Sequence, residues 1–232
     1  MVVSTHRKML DFSGIELSIC NSSLERVEQF KYLGVVLDPL LNFKCHVDMI
    51  CSKVSKKLGV LKRCKLYIDC NTMKTLYKSI VIPHFDYCDT VYDACGKGLK
   101  DRLQRLQNRG LRLVLSQKPR TASDTLHAEA NVRKLQQSRD FHLSCLMFNV
   151  LNGLAPKYMS AMFCKISAKH NVNTRSASEG DLYVKRAHKE VGKKSLSYRG
   201  AEAWNNLCTE VRNSENINQF KDNYLAKYYN VR

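Results

Sequence analysis

Residues 30–38 form the one convincing β-strand pattern, because aromatic, aliphatic and β-branched side chains run up to Asp38-Pro39, a pair that ends strands. Apolar and polar residues alternate over 15–19, as in a half-buried strand. Between these stretches, residues 20–23 (Cys-Asn-Ser-Ser) have turn chemistry. We therefore predict a hairpin in which the chain returns from residue 24 through the 30–38 strand, and in which Gly34 lets the backbone approach a neighbouring group closely.

After Asp38 the apolar residues recur at spacings of three and four, the period of an α-helix with one buried face. This period predicts a helix over 43–63, with Asn42 as its N-cap. A second helix begins at the cap Asn71 and is interrupted near Ile82 by Pro83, since proline lacks the amide hydrogen that a helix needs. A third helix spans about 98–115. Its predicted buried stripe consists of Leu99, Leu103, Leu106, Gly110 and Leu113.

The second half of the chain is also predicted to be helical, with one interruption. Helical periods cover residues 122–129, 132–152, a short stretch to 163, 197–212 and 216–229. Between 164 and 194 the period fails, and we expect a polar, basic, extended loop. The predicted fold class is therefore mainly α, with a small N-terminal antiparallel β-hairpin followed by a helical bundle and C-terminal helices.

The net charge of the chain indicates which kind of binding partner to expect. The chain has 232 residues with Lys+Arg 38 against Asp+Glu 21, a net charge of +17 and a pI near 9.5. Such an excess favours a polyanion, either nucleic acid or an anionic membrane surface. No apolar run approaches the length of a membrane span and no secretory leader opens the chain, so we expect no membrane partner. The ten cysteines are then expected to be reduced thiols.

A row of arginines supports the nucleic-acid interpretation. Four arginines lie on the third predicted helix about a quarter-turn from its apolar stripe: Arg102, Arg105, Arg109 and Arg112. Guanidinium groups match the oxygen geometry of phosphates, and such a row can follow a phosphate backbone. The alternative is an exposed face without a partner. We favour nucleic acid here because almost no acid on that face balances the row.

The first predicted helix also presents basic residues. Lys53, Lys56 and Lys57 stand off its apolar stripe and are further candidates for contacts with nucleic acid. For any one of these lysines, a solvated basic face is an equally good interpretation.

The sequence offers no catalytic constellation. Five or six residues separate the members of each cysteine pair between 45 and 95, whereas zinc modules use closer pairs, and buried thiols explain the pattern better. Asp86, Asp89 and Asp93 lie near one helical face and could hold Mg²⁺, but an acidic surface or a helix-packing hydrogen bond is the better interpretation. Nucleophile elbows, phosphate-cradling glycine loops and HExxH motifs are absent. We assign no catalytic residue and no metal ligand.

Seven segments together carry a family resemblance. They are Phe30 to Asp38, Thr75-Leu76-Tyr77, Pro83 to Cys88, Leu103 to Arg109, Leu151 to Pro156, Asn173-Thr174-Arg175, and Ser197 to Ala201 with Trp204-Asn205. Each is weak alone, but their order and spacing over nearly the whole chain are specific. In these segments the chain resembles the C-terminal part of reverse transcriptases from non-LTR retrotransposons of the jockey-like LINE type.

The resemblance implies roles for two regions. Tyr32, Leu33 and Gly34 correspond to the primer grip, a palm hairpin that holds the primer 3′ end near the catalytic metals. The helices after Asn42 correspond to the thumb, which packs along the minor groove of the RNA–DNA hybrid. The implied regions are a palm remnant at 1–41, a thumb-like helical region at 42–164, a basic irregular linker at 165–196 and a C-terminal helical segment at 197–232.

The chain departs from the family at the catalytic centre. The polymerase uses a Tyr/Phe-Ala-Asp-Asp turn and another palm aspartate to hold two Mg²⁺ ions. This sequence has no such turn, and its first residues align with family sequence just after it. The resemblance therefore implies a fragment without fingers and most of the palm, inactive alone. Mg²⁺ is expected only for the complete polymerase, and the nucleus is the location expected for the parent element.

Two hypotheses follow from these observations. In the first, the chain is a thumb and tail that binds RNA, RNA–DNA hybrid or DNA through phosphates. In the second, it is a non-catalytic helical interaction module whose charge serves solubility. A domesticated nucleic-acid-binding protein is a third and weaker hypothesis.

Overall fold

The computed structural model describes residues 17–169 and 175–229. In this part the chain is mainly helical, with two small antiparallel hairpins near its N-terminus, which confirms the predicted fold class. The chain forms two compact units, Met1–Leu135 and Gln136–Arg232. The four functional regions implied by the resemblance stay a prediction. Ile15, Glu16 and the matching pair Asn173-Thr174 lie outside the described residues.

The predicted 30–38 strand is in fact a hairpin of its own. β1 (Ser18–Ile19) pairs with β2 (Ser22–Ser23), and β3 (Phe30–Tyr32) pairs separately with β4 (Val35–Leu37). The second hairpin reverses at Leu33 and Gly34, whose φ angles are +43° and +83°. Two positive φ angles in a two-residue loop match the twist of the flanking strands. The prediction of one continuous strand was wrong because a run of β-forming residues does not show where the chain turns back.

Six helices follow the two hairpins in the described part of the first unit. They are α1 (Lys44–Cys64), α2 (Cys70–Ile80), α3 (Ile82–Asp86), α4 (Asp89–Tyr92), α5 (Lys97–Leu115) and α6 (Ser123–Ala130). The predicted bounds of α1 and α5 are confirmed to within one residue, and the interruption at Pro83 is confirmed, since α2 ends at Ile80 and Pro83 lies in the first turn of α3.

The two predicted N-caps need correction. Asp69, not Asn71, caps α2, because its carboxylate accepts hydrogen bonds from the amides of Asn71 (2.9 Å) and Thr72 (3.1 Å). The N-cap position of α1 is taken by Phe43, which has a left-handed φ of 59°. Asn42 lies one residue earlier, and its side-chain oxygen accepts from the Lys44 amide at 2.8 Å. Both differences concern one or two residues at a helix end, where local capping competes among neighbouring polar side chains.

Close packing of α1, α2 and α5 forms the centre of the first core. A Cβ at Gly110 of α5 would lie 2.7 Å from Tyr77 Cε2 of α2 and 3.1 Å from Leu58 Cδ2 of α1. Tyr77 is buried, and its hydroxyl donates to the Gln107 carbonyl at 3.4 Å. The three helices can therefore approach at this level only because residue 110 has no side chain.

The buried face of α5 is rotated from its predicted stripe. The buried residues are Leu103, Gln107, Gly110, Leu111, Val114 and Leu115. The predicted Leu99, Leu106 and Leu113 are only partly buried. The prediction missed Gln107, which is 1% exposed and whose Nε2 donates to the Arg133 carbonyl at 3.0 Å. A polar side chain with such a partner can be buried at low cost.

The second unit has its own core. Its helices are α7 (Leu135–Leu151), α8 (Lys157–Ser160), α9 (Arg175–Ser178), α10 (Glu190–Lys193), α11 (Leu196–Asn205), α12 (Thr209–Arg212) and α13 (Ile217–Tyr229), with a 3₁₀ turn at Ile166–Ala168. The helix predicted at 197–212 is divided into α11 and α12. The extended loop predicted at 164–194 is also corrected, because it holds short helical turns and because Leu182 is 1% exposed in the core.

Two polar side chains fix the irregular part of the second unit. Asn205 accepts from the Leu182 amide at 2.9 Å and donates to the Leu182 carbonyl at 2.8 Å. Arg212 forms an ion pair with Asp181 at 2.7 Å, with both side chains largely buried. These contacts join residues distant in sequence, which is why hydrophobic period alone did not predict them. None of the helices within the described residues has the length and apolar character that crossing a bilayer requires.

We predict opposite effects for two helical glycines. Gly110→Ala places a methyl group against Tyr77 and Leu58, and we expect the free energy of unfolding to fall by about 1–3 kcal/mol. Gly59→Ala in α1 is the control, because no other part of the described structure lies within 4 Å of the new Cβ. There we expect a gain of up to about 1 kcal/mol from helix propensity. Urea denaturation measures both, and equal stability of the two variants would contradict the packing at Gly110.

Candidate nucleic-acid interface

The tip of the second hairpin is exposed and rests on one tyrosine. Tyr32 is 60% and Leu33 73% exposed. The Tyr87 hydroxyl donates to the Leu33 carbonyl at 2.7 Å, and a Cβ at Gly34 would lie 3.1 Å from Tyr87 Cε1. The close approach expected at Gly34 is therefore made to an aromatic ring. Tyr87 lies in a segment that carries the resemblance, but the sequence did not show its contact with the hairpin.

The base of the hairpin is tied to the start of α1. The Val36 amide donates to Nδ1 of His46 at 3.3 Å. The buried carboxylate of Asp38 accepts from three amides of the connecting turn, those of Leu40 (3.1 Å), Asn42 (3.1 Å) and Phe43 (2.8 Å). These contacts hold the exposed tip in a fixed orientation relative to α1.

The arginine row on α5 is less uniform than its spacing suggests. Arg102 forms an ion pair with Asp48 of α1, so its charge is partly balanced by an acid from another helix. Arg105 and Arg109 are exposed. Arg112 is half-buried and donates from Nη2 to the Thr121 carbonyl at 3.2 Å. Arg105, Arg109 and Arg112 therefore carry most of the free positive charge of the row.

Two members of the row meet a third cation at a cavity of about 520 Å³. The cavity lies at the C-terminal end of α5. Its lining residues are Lys65, Arg109, Arg112, Leu113, Ser116, Gln117 and Pro119. Lys65 follows α1 and was not among the predicted site residues. The only signal for it in the sequence was its place in the basic run 62–65 at the end of a helix, where cations are common for helix-dipole reasons alone.

The predicted lysines of α1 are exposed but are separated from the arginine row. Burial lowers the pKa of His84, and the charges of Lys53 and Lys57 lower it further. Both lysines therefore lie on the flank of α1 that faces α3. Asp48, which holds Arg102, lies about 140° around the helix from Lys53 and about 180° from Lys57. Lys56 is exposed beside them. The structure thus brings Arg109 and Arg112 together and leaves Lys53, Lys56 and Lys57 as a second basic face.

Of the acidic residues considered for Mg²⁺, Asp93 has an ion pair with a neighbouring helix. Asp93 is 9% exposed and forms an ion pair with Lys100 at 2.6 Å. Asp89 begins the short helix α4 and is also buried. For Asp93, the ion pair between α4 and α5 agrees with a role in helix packing.

The described residues thus define a mainly helical protein with exposed basic faces on α1 and α5 and an exposed, anchored hairpin tip. Over about half of its length the chain is similar to RNA-directed DNA polymerases of transposons. It is 27% identical over 124 residues to the probable RNA-directed DNA polymerase from transposon BS of Drosophila melanogaster. It is 31% identical over 120 residues to the corresponding probable enzyme from transposon X-element of the same species. It is 32% identical over 103 residues to the RNA-directed DNA polymerase from mobile element jockey of Drosophila funebris.

These similarities confirm the resemblance found in the sequence motifs. The three matches cover 52%, 49% and 42% of this chain, but only 14%, 13% and 11% of the relatives. No family model matches the chain, and no solved structure matches it.

We predict that the hairpin anchor makes stability depend on pH. Burial, and then the charge of Lys53, lower the pKa of His46 below its ordinary value of 6.5. The unfolded chain therefore binds the proton more readily, so stability is complete above pH 6.5 and falls as the pH drops below it. His46→Asn keeps an acceptor for the Val36 amide but does not titrate. We expect its midpoint of thermal unfolding to change less between pH 7 and pH 5 than that of the wild type.

The quantity to compare is the change of stability with pH, because we expect the variant to be less stable than the wild type at every pH. One such group contributes at most about 1.4 kcal/mol per pH unit. His84 and His127, whose pKa values burial also lowers, contribute to the slope that remains. An unchanged slope in His46→Asn would contradict a neutral, buried His46 as the acceptor for Val36.

Proposed function

We propose that this chain is the primer-grip and thumb part of a transposon RNA-directed DNA polymerase, and that it binds RNA, RNA–DNA hybrid or DNA through phosphates. The similarity to three transposon polymerases supports the family part of this proposal. One observation supports the binding part: arginines are exposed along α5, and Lys65 lies near the C-terminal end of this helix.

The placement of the arginines supports contact with the phosphate backbone of a nucleic acid rather than a role in stabilising the fold. Arg105 and Arg109 lie on the side of α5 away from Leu103 and Gly110, which pack into the core. Because they are exposed, they add no buried contact that would stabilise the unit. A straight helix with guanidinium groups every three to four residues offers a row of donors about 5 Å apart along its axis, and such a row can contact several phosphates of one strand.

The hairpin has features suited to holding a nucleic-acid end. Phe30 and Tyr32 form a stacked ring pair, with centroids 6.4 Å apart, and both rings are at least half exposed. The hydrogen bond from Tyr87 to Leu33 fixes the turn between Tyr32 and Val35. An exposed aromatic surface on an anchored turn can contact the sugar and base of a terminal nucleotide.

A helical interaction module without a nucleic-acid role is the alternative. The observation that favours it is the apolar surface at the N-terminus, where Leu17 and Ile19 are about 60% exposed and Leu33 is 73% exposed. Exposed apolar groups of this kind often mark a protein–protein contact. In that case the positive charge would only keep the chain soluble. A domesticated protein that binds nucleic acid without belonging to a polymerase is the third function considered.

A salt titration with charge variants distinguishes these functions. Phosphate-driven binding of a short RNA–DNA hybrid should weaken steeply with salt, measured by fluorescence anisotropy. We expect Arg105→Gln with Arg109→Gln to lower the slope of log affinity against log salt by about two, since each lost phosphate contact lowers it by about one. A slope as steep as that of the wild type would exclude these arginines from the interface.

The matched control removes the same charge elsewhere. Lys78→Gln with Lys157→Gln changes two exposed lysines on α2 and α8 that belong neither to the arginine row nor to the cavity lining. We expect this variant to keep the wild-type slope. If wild-type protein binds no nucleic acid even at low salt, the interaction module is the better function.

We also predict that the isolated chain does not synthesise DNA. The sequence contains no Tyr/Phe-Ala-Asp-Asp turn to hold the two Mg²⁺ ions that nucleotidyl transfer uses. The measurement is primer extension on an RNA template with Mg²⁺ and deoxynucleotides, using protein free of contaminating polymerase. Extension that rises with protein concentration would overturn this expectation, and a transposon polymerase that contains its aspartates provides the positive control.

A further inference from the structure

The cavity at the end of α5 has the dimensions of a small-ligand site. Its volume is about 520 Å³, within the usual range of about 300–1,000 Å³ for such sites. Leu113 and Pro119 provide an apolar part, and Lys65, Arg109 and Arg112 provide three cations. This volume is large enough for one nucleotide.

The charges at the cavity favour an anion. None of the seven described residues that line it is acidic. The carbonyl end of α5 carries about half a negative charge, which three cations outweigh. One carboxylate contacts the lining, since Glu129 accepts a hydrogen bond from Nε2 of the lining residue Gln117 at 2.9 Å.

Arg112 is fixed in place before any ligand arrives. Its Nη2 donates to the Thr121 carbonyl, and its buried Nε has no hydrogen-bond partner among the described residues. The guanidinium group of Arg112 thus keeps donors for a ligand. The loop that follows α5 restrains its position. A restrained guanidinium loses little conformational entropy when it binds a phosphate.

An exposed tyrosine lies two residues after Lys65 in the sequence. Leu66 is 89% and Tyr67 86% exposed, in the connection between α1 and α2. The Tyr67 amide donates to the Cys64 carbonyl at 2.9 Å, which sets the backbone of this turn. A tyrosine with so little packing contributes little to the core, but its ring can stack on a nucleobase. Lys65 thus lines the cavity and lies two residues before this exposed ring in the sequence.

We propose that the cavity binds an unpaired nucleotide of a single strand, with its phosphate held by Lys65, Arg109 and Arg112 and a neighbouring base stacked on Tyr67. This inference rests on the proposed nucleic-acid binding and deepens it, because it names the single-stranded part of a substrate as the ligand of this site. The cations bind any phosphate, but Tyr67 requires a base next to it, which a free phosphate does not supply.

The test compares a blunt RNA–DNA hybrid with the same hybrid carrying a short single-stranded extension, both measured by anisotropy at one salt concentration. We expect the extension to tighten binding about tenfold, the size of one stacked base with its phosphate contact. Tyr67→Ala should remove this gain without changing the affinity for the blunt hybrid. Tyr158→Ala, at a tyrosine 71% exposed on α8, is the matched control and should keep the gain.

Each outcome decides the inference. If the blunt hybrid binds and the extension adds nothing, the single-strand site is wrong while the proposed function stands. If the extension tightens binding equally in wild type, Tyr67→Ala and Lys65→Gln, the strand binds elsewhere and this site is wrong. If neither substrate binds even at low salt, both proposals fail. Competition by inorganic pyrophosphate as strong as that by a short oligonucleotide would show a simple phosphate site and would overturn the stacking role.

Discussion

The contact of Gly110 with Tyr77 and Leu58 is the constraint on which the first unit depends. It allows α1, α2 and α5 to pack at a distance that a side chain at residue 110 would prevent. The packing sets the rotation of α5 about its axis, and that rotation turns Arg105 and Arg109 outwards. The basic surface is therefore a consequence of a steric contact inside the core.

How far the charge of each arginine on α5 is balanced depends on its immediate neighbours. The net charge of +17 favours any polyanion at long range, but the individual arginines differ. Asp48 partly balances Arg102, whereas Arg109 and Arg112 meet Lys65 with no acid among the lining residues of the cavity. The positive charge is thus concentrated towards the C-terminal end of α5.

Polar contacts join the hairpin to the helices, in addition to the apolar side chains of Val35 and Leu37, which pack into the first core. Tyr87 fixes the tip, and His46 and Asp38 fix the base. Phe30 and Tyr32 remain half or more exposed. The proposed primer-grip role rests on these two features, a fixed turn and exposed rings.

The order of the helices, the interruption at Pro83 and the mainly α fold class followed from the sequence, because hydrophobic period and proline act locally. The motifs also determined the resemblance to transposon polymerases. Only the tertiary structure decided that residues 30–38 turn back at Leu33, that Gln107 is buried, and that Lys65 joins Arg109. Each of these depends on contacts between residues far apart in the chain, and a local pattern of polar and apolar residues does not encode which distant side chain will satisfy a hydrogen bond or share a charge.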